Sequence, residues 1–158
     1  ESAGYSITSA YTAVKDPEQT KFIYRDRLWS GADMVALGVA SFGHLGGIHY
    51  QNLTHIDQYC DTVEGGGSVL RRALLTSEEE RFVREIILQW KLGRVRPSYF
   101  SEKFGIDLYE RFSDVFQEWK ESGDLIEGED ELRLSRDALL RVDSMLYRFF
   151  LPQHQDVD

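Results

Sequence analysis

Gly31-Ala-Asp-Met-Val-Ala-Leu-Gly-Val-Ala-Ser-Phe-Gly-His-Leu-Gly-Gly-Ile-His-Tyr-Gln-Asn52 is the stretch whose reading decides the fold. Met34 to Val39 is apolar on both alternating faces, which predicts a strand covered on two sides, as in a parallel sheet. It runs into a loop rich in glycine and polar residues: Ser41, Gly43, His44, Gly46, Gly47, His49, Gln51 and Asn52. A rigid strand fixes such a loop and glycine lets backbone approach a ligand, so chemistry gathers at junctions of this kind. The same glycines equally serve a tight turn.

Working outward, residues 1–30 scatter Tyr5, Tyr11, Phe22, Tyr24 and Trp29 among polar residues with no sustained period, and read as extended or irregular. Asp16-Pro17-Glu18 suits one helical turn and Lys21 to Tyr24 a short strand. On the other side, a helix is expected from Thr54, as N-cap, to Glu64, with Ile56, Tyr59, Cys60 and Val63 on one packed face. Gly65-Gly-Gly67 ends it and opens a linker over 65–75.

From residue 76 the pattern turns helical. Thr76-Ser-Glu-Glu79 has capping-box spacing before a helix carrying Phe82, Val83, Ile86, Ile87 and Trp90, which stops at Gly93. A short helix follows Pro97 and closes at Gly105; another spans Asp107 to Glu121 and stops at Gly123. Strands at 124–126 and 132–135 flank an acidic turn, and Arg136 to Phe150 forms a last helix before Pro152 and a frayed tail, 153–158. Helix, short helix, helix, hairpin, helix is the order of a winged helix–turn–helix. The fold class expected is α+β, mainly α: a covered strand, a glycine-rich loop and a helix over 1–64, then a winged-helix-like domain over 76–152.

The chain has 158 residues and a net charge of −9, from 27 acidic and 18 basic side chains. That balance disfavours nucleic-acid backbones and anionic membranes as partners. Asp107, Glu110, Asp114, Glu118 and Glu121 would moreover lie on the helix that should enter a DNA groove. No apolar run approaches the ~20 residues of a membrane helix. Cys60 is the single cysteine, so no internal disulfide forms, which fits a reducing cytosol and a cytoplasmic protein. It reads as a packed residue. His44 and His49 lack a third ligand type nearby, which disfavours a metal site. Arg25 and Arg27 are the candidates for carboxylate recognition, or equally surface charges beside Asp26, and Gln51 and Asn52 are the candidates for fixing the turn before the following helix.

Leu37-Gly-Val-Ala-Ser-Phe-Gly43 and Tyr50-Gln-Asn52 carry a resemblance. With the helical half, they resemble the C-terminal part of oxygen-independent coproporphyrinogen III oxidases, radical S-adenosylmethionine (SAM) enzymes. The resemblance implies the end of a catalytic barrel followed by a domain that covers its mouth. It implies SAM and a [4Fe–4S] cluster on a C-x3-C-x2-C motif as cofactors, and a tetrapyrrole substrate, coproporphyrinogen III, decarboxylated oxidatively to protoporphyrinogen IX. Phe42 matches the family position that lies against SAM, and Gly38 beside it allows close approach.

This sequence has no C-x3-C-x2-C and one cysteine, which cannot ligate the cluster. The expectation is a C-terminal fragment of a longer enzyme, inactive alone, with no catalytic residue of its own. Its Met34–Val39 strand should find substitute packing from residues 1–30 or by self-association with another copy. The alternative is a tetrapyrrole- or haem-binding, or protein-interaction, module without catalysis.

Overall fold

The computed structural model describes residues 2–155 and divides into two compact units, residues 32–81 and residues 1–31 with 82–158. The protein is mixed α/β.

The larger unit opens with an antiparallel pair, β1 (Ser6–Ser9) and β2 (Thr12–Val14), and a helix, α1 (Ile23–Trp29). The strand expected at Lys21 to Tyr24 is therefore absent. Helical spacing puts Phe22 and Trp29 on either side of Arg25, whose guanidinium lies 4.7 and 5.6 Å from their ring centroids. That i−3/i+4 arrangement favours helix over the strand propensity of Phe-Ile-Tyr.

The rest of this unit is α3 (Glu78–Lys91, from Phe82 on), β6 (Arg94–Val95), α4 (Pro97–Phe104), α5 (Leu108–Arg111), α6 (Ser113–Glu121), β7 (Leu125–Glu127), β8 (Leu132–Leu134) and α7 (Arg136–Leu140). The strands form an antiparallel sheet in the order β6-β8-β7. Phe82, Ile86 and Trp90 recur on one face of α3 and are fully buried, together with Val95, Phe100, Leu108 and Leu132. Trp90 meets Trp119 edge-on at 5.4 Å, and Phe149 closes the cluster against Phe112 at 4.7 Å.

Several boundaries differ from those expected. The capping box lies one residue later: the Glu80 N–H donates to Ser77 Oγ at 3.1 Å and the Ser77 N–H to Glu80 Oε2 at 2.8 Å. Thr76 instead donates its hydroxyl to the Gly47 carbonyl at 2.6 Å. The helix expected at 107–121 breaks at Phe112, with Asp107 capping its first part by accepting from Tyr109 and Glu110. The helix expected from Arg136 to Phe150 stops at Leu140. Arg141 leaves the helical region at φ −119, its side chain drawn to Asp124 at 2.6 Å, and 3₁₀ turns at 142–144 and 146–149 follow. Of the expected frayed tail, residues 156–158 lie outside the described residues, and Pro152–His154 forms a 3₁₀ turn.

Glu85, 6% exposed, is a buried acid of this unit, as is Asp124 at 7%. It accepts from Tyr99 Oη at 2.5 Å and from Lys103 Nζ at 2.8 Å. The Tyr99 hydroxyl also lies 3.3 Å from the Ser30 carbonyl. Gly31, at φ +89, leaves room for this carboxylate, since a Cβ there would stand 2.6 Å from Glu85.

The smaller unit is an antiparallel sheet in the order β3 (Phe42–Leu45), β4 (Ile48–Asn52), β5 (Leu70–Leu75), with α2 (Ile56–Glu64) inserted between β4 and β5. Several expectations meet the structure here. Met34 to Val39 is no strand: only Met34 bridges, to His44, and Val35 and Leu37 are 62% and 83% exposed. Among the described residues, β1 and β2 pair only with each other. The glycine-rich rim is a hairpin, with Leu45 opposite Ile48 and a two-residue turn of Gly46 and Gly47, both at positive φ. Residues 70–75 of the expected linker are β5, recruited because their backbone pairs with β4. Cys60 is exposed, not packed.

Among the described residues of this unit no hydrophobic side chain is buried; the buried side chains are His44, Gln51 and Asn52. Phe42, Leu45, Ile48, Ile56, Val63, Leu70, Leu74 and Leu75 all stand exposed. Polar bonds and backbone pairing, rather than an apolar core, hold these residues in place.

Candidate functional site

The segment 36–41 that replaces the expected strand is shaped by side chains from the elements after it. Gly38 adopts φ +96 and Ala40 φ +59, left-handed values that break a strand ladder. Asn52, 3% exposed on β4, donates its amide to the carbonyls of Gly38 at 3.0 Å and Ala36 at 3.4 Å. Tyr59 Oη on α2 accepts from the Gly38 N–H at 3.1 Å, and Tyr50 Oη accepts from the Ala36 N–H at 2.9 Å. Ser41 Oγ donates to the Leu37 carbonyl at 2.7 Å. Gln51 donates to the Ala40 carbonyl at 3.3 Å and accepts from Arg72 at 2.9 Å. Gln51 and Asn52 thus bond side chain to backbone, but they reach back to 36–40 instead of fixing the turn ahead of α2.

Gly38 serves through its conformation. Both its backbone polar groups are committed, to Tyr59 and Asn52, and a Cβ there would find only Ser41 Oγ, at 3.6 Å. Phe42 begins β3 with its ring 47% exposed and stacked on His49, centroids 5.7 Å apart and planes 13° from parallel. Register places Phe42, His44, His49, Gln51, Arg72 and Leu74 on one face of the sheet. On the other face Tyr50 lies over Gly43, and any Cβ at 43 would enter its ring. This face-to-glycine packing carries the Tyr50 hydroxyl to Ala36.

His44 and His49 sit directly opposite each other across the hairpin, with ring centroids 6.1 Å apart. Among the described residues no group of three His, Cys, Asp or Glu side chains is placed to hold a metal ion. The candidates for carboxylate recognition fare unequally. Arg25 is committed to Asp26 at 2.6 Å and to the hydroxyls of Ser9 and Thr12, whereas Arg27 is exposed. Sequence reasoning missed Tyr50 and Tyr59 as the donors' partners, because nothing in their spacing marks them as reaching 36–38.

An exposed aromatic ring beside a locked, glycine-containing turn is a surface on which a planar ligand can stack. A curated oxygen-independent coproporphyrinogen III oxidase from Pseudomonas aeruginosa is 25% identical over 114 residues, 71% of this chain. This chain resembles oxygen-independent coproporphyrinogen III oxidase. It spans 22% of the length of that relative. A solved structure of coproporphyrinogen III oxidase (HemN) from Escherichia coli, described as a radical SAM enzyme, matches in fold at a TM-score of 0.70. Identity there is 15%, over 94% of this chain and 37% of the other. No protein-family model matches the chain.

The cofactors of such an enzyme fit this chain unequally. One cysteine, exposed Cys60, does not fit a [4Fe–4S] cluster, which takes three or four thiolates. The ring of Phe42 is half-exposed, with one side stacked on His49. No described helix is long and apolar enough to cross a membrane.

Proposed function

We propose that these residues are the C-terminal part of a radical SAM oxidoreductase of the coproporphyrinogen III oxidase type. The intact protein would decarboxylate coproporphyrinogen III oxidatively to protoporphyrinogen IX, and the 158 residues alone would be inactive. The similarity to the Pseudomonas aeruginosa oxidase carries this reading. Its partial cover of both relatives supports placing the cluster and most of the substrate pocket outside these residues.

The open apolar surface of residues 32–81 supports the same reading. Eight large apolar side chains exposed on one small sheet and its helix is more than an independent unit leaves uncovered. In the intact enzyme this unit would be the rim of the barrel, with 36–42 as its SAM-facing turn. The order α3, β6, α4, α5–α6, β7–β8 supports the winged-helix-like reading of residues 76–152, which we take as a lid-like domain. The acids on α6 oppose a phosphate backbone, so this domain would serve packing rather than DNA.

When bound, SAM supplies the radical; what this chain contributes is position. Phe42 would hold the adenine face, and Gly38 would shape the turn that aims it, with Asn52 and Tyr59 as positioning residues. The test is Phe42→Asp in the full-length protein. SAM affinity should fall at least about tenfold, the loss of one aromatic contact made worse by a nearby carboxylate. Unchanged SAM affinity would remove Phe42 from the site.

A further inference from the structure

Within residues 1–31 and 82–158 lies a half-open cleft of about 560 Å³ between α1 and the β6–α4 junction. That volume lies within the range of small-molecule sites, roughly 300–1,000 Å³. It does not involve Gly38 or Phe42, and it does not depend on the radical-enzyme reading of the chain.

Three observations give the cleft a chemistry. Gln89 lines it from α3, is 8% exposed, and its side-chain amide bonds to no described residue. That amide opens to the cleft and is available to a polar group that enters it. Second, cations gather here in a chain of charge −9. Of the seven charged lining residues, Arg25 is neutralised by Asp26, and Glu131 turns to Arg133 at 2.7 Å, leaving Arg94 at 3.9 Å. Among the described residues Arg96 makes no ion pair, although its charge acts on Asp130, and Lys21 donates only to the Pro17 carbonyl at 3.2 Å. Three under-used cations therefore face one uncommitted acid, Glu102. Third, Phe22, Tyr99, Leu92 and Val95 give the same cleft apolar lining.

We propose that this cleft binds a small organic oxyanion, a carboxylate or phosphate on an apolar, ring-sized body. Arg94 and Arg96 take the oxyanion through guanidinium forks, Gln89 takes a polar edge, and Phe22 and Tyr99 pack on the body.

The test is a two-dimensional NMR titration of the ¹⁵N-labelled chain near physiological salt with two probes, phenyl phosphate and benzene-1,3-dicarboxylate. Saturable shifts of the Gln89 side-chain amide are expected with at least one, and the tighter probe identifies the oxyanion. Arg94→Ala with Arg96→Ala, both exposed positions, should weaken binding at least tenfold, and Gln89→Leu should weaken it without lowering the thermal midpoint. Absence of a saturable shift at Gln89 with both probes, or equal affinity in the double arginine variant, would overturn the proposal.

Discussion

The Asn52 carboxamide donates to the Gly38 carbonyl at 3.0 Å, across 14 residues of sequence. With its second bond, to Ala36, it is the clamp that turns an apolar run into a fixed loop. Asn52→Leu keeps the shape of the side chain and leaves both carbonyls without their donor. The expected cost is about 1–3 kcal/mol for buried acceptors left unpaired. Hydrogen exchange should report it as faster exchange of the Gly38 and Ala40 amides, with the amides of α3 unchanged.

Gly43→Ala tests the hairpin. The new methyl group would occupy the place of the Tyr50 ring, so the ring must swing away and its hydroxyl must leave the Ala36 N–H. The expected result is loss of Tyr50 protection over Gly43, seen as altered aromatic ring-current shifts. Retained shifts would show that the ring packs elsewhere.

Gly31→Ala should destabilise the larger unit. A left-handed φ of +89 costs an L-residue about 1–2 kcal/mol, and the added Cβ presses on the buried carboxylate of Glu85. Thermal unfolding should show a lower midpoint, and Glu85→Gln should not restore it, because the glutamine amide fills the same space.

The Glu85–Tyr99–Lys103 cluster predicts an alkaline limit. Burial pulls the Lys103 amine down, but its hydrogen bonds to Glu85 and Tyr99 outweigh this and hold it above its ordinary 10.5. Burial and the hydrogen bond to Glu85 hold Tyr99 above 10.0. Both groups keep their protons longer folded than unfolded, so their contribution is complete below the unfolded values and is lost as pH rises through the folded ones. The denaturation midpoint should stay level to about pH 9 and fall above about pH 10. In Tyr99→Phe/Lys103→Met the fall should be shallower.

Local signals made the larger unit legible in the sequence. Pro97 opens α4, Gly105 closes it in a left-handed cap at φ +67, and the 3.6-residue spacing of Phe82, Ile86 and Trp90 marks the face that is buried. The smaller unit was legible only in part. Met34 to Val39 carries the pattern of a buried strand, yet side chains 14 to 21 residues away decide its conformation. The apolar stretches at 35, 37 and 70–75 stand exposed for want of covering residues. Their hydrophobicity pointed to burial, and among the described residues they are exposed. Asp26 beside Arg25 was visible in the sequence, but not that Ser9 and Thr12 also converge on it.

The account stands most directly on the activity of the intact protein. Full-length, cluster-reconstituted protein should be incubated anaerobically with SAM, a low-potential reductant and coproporphyrinogen III, with haem as the competing substrate. The account predicts 5′-deoxyadenosine formation matched to protoporphyrinogen IX from coproporphyrinogen III, and none from the isolated 158 residues. SAM cleavage by the isolated chain, or a full-length protein that binds tetrapyrrole and yields no 5′-deoxyadenosine, would contradict it.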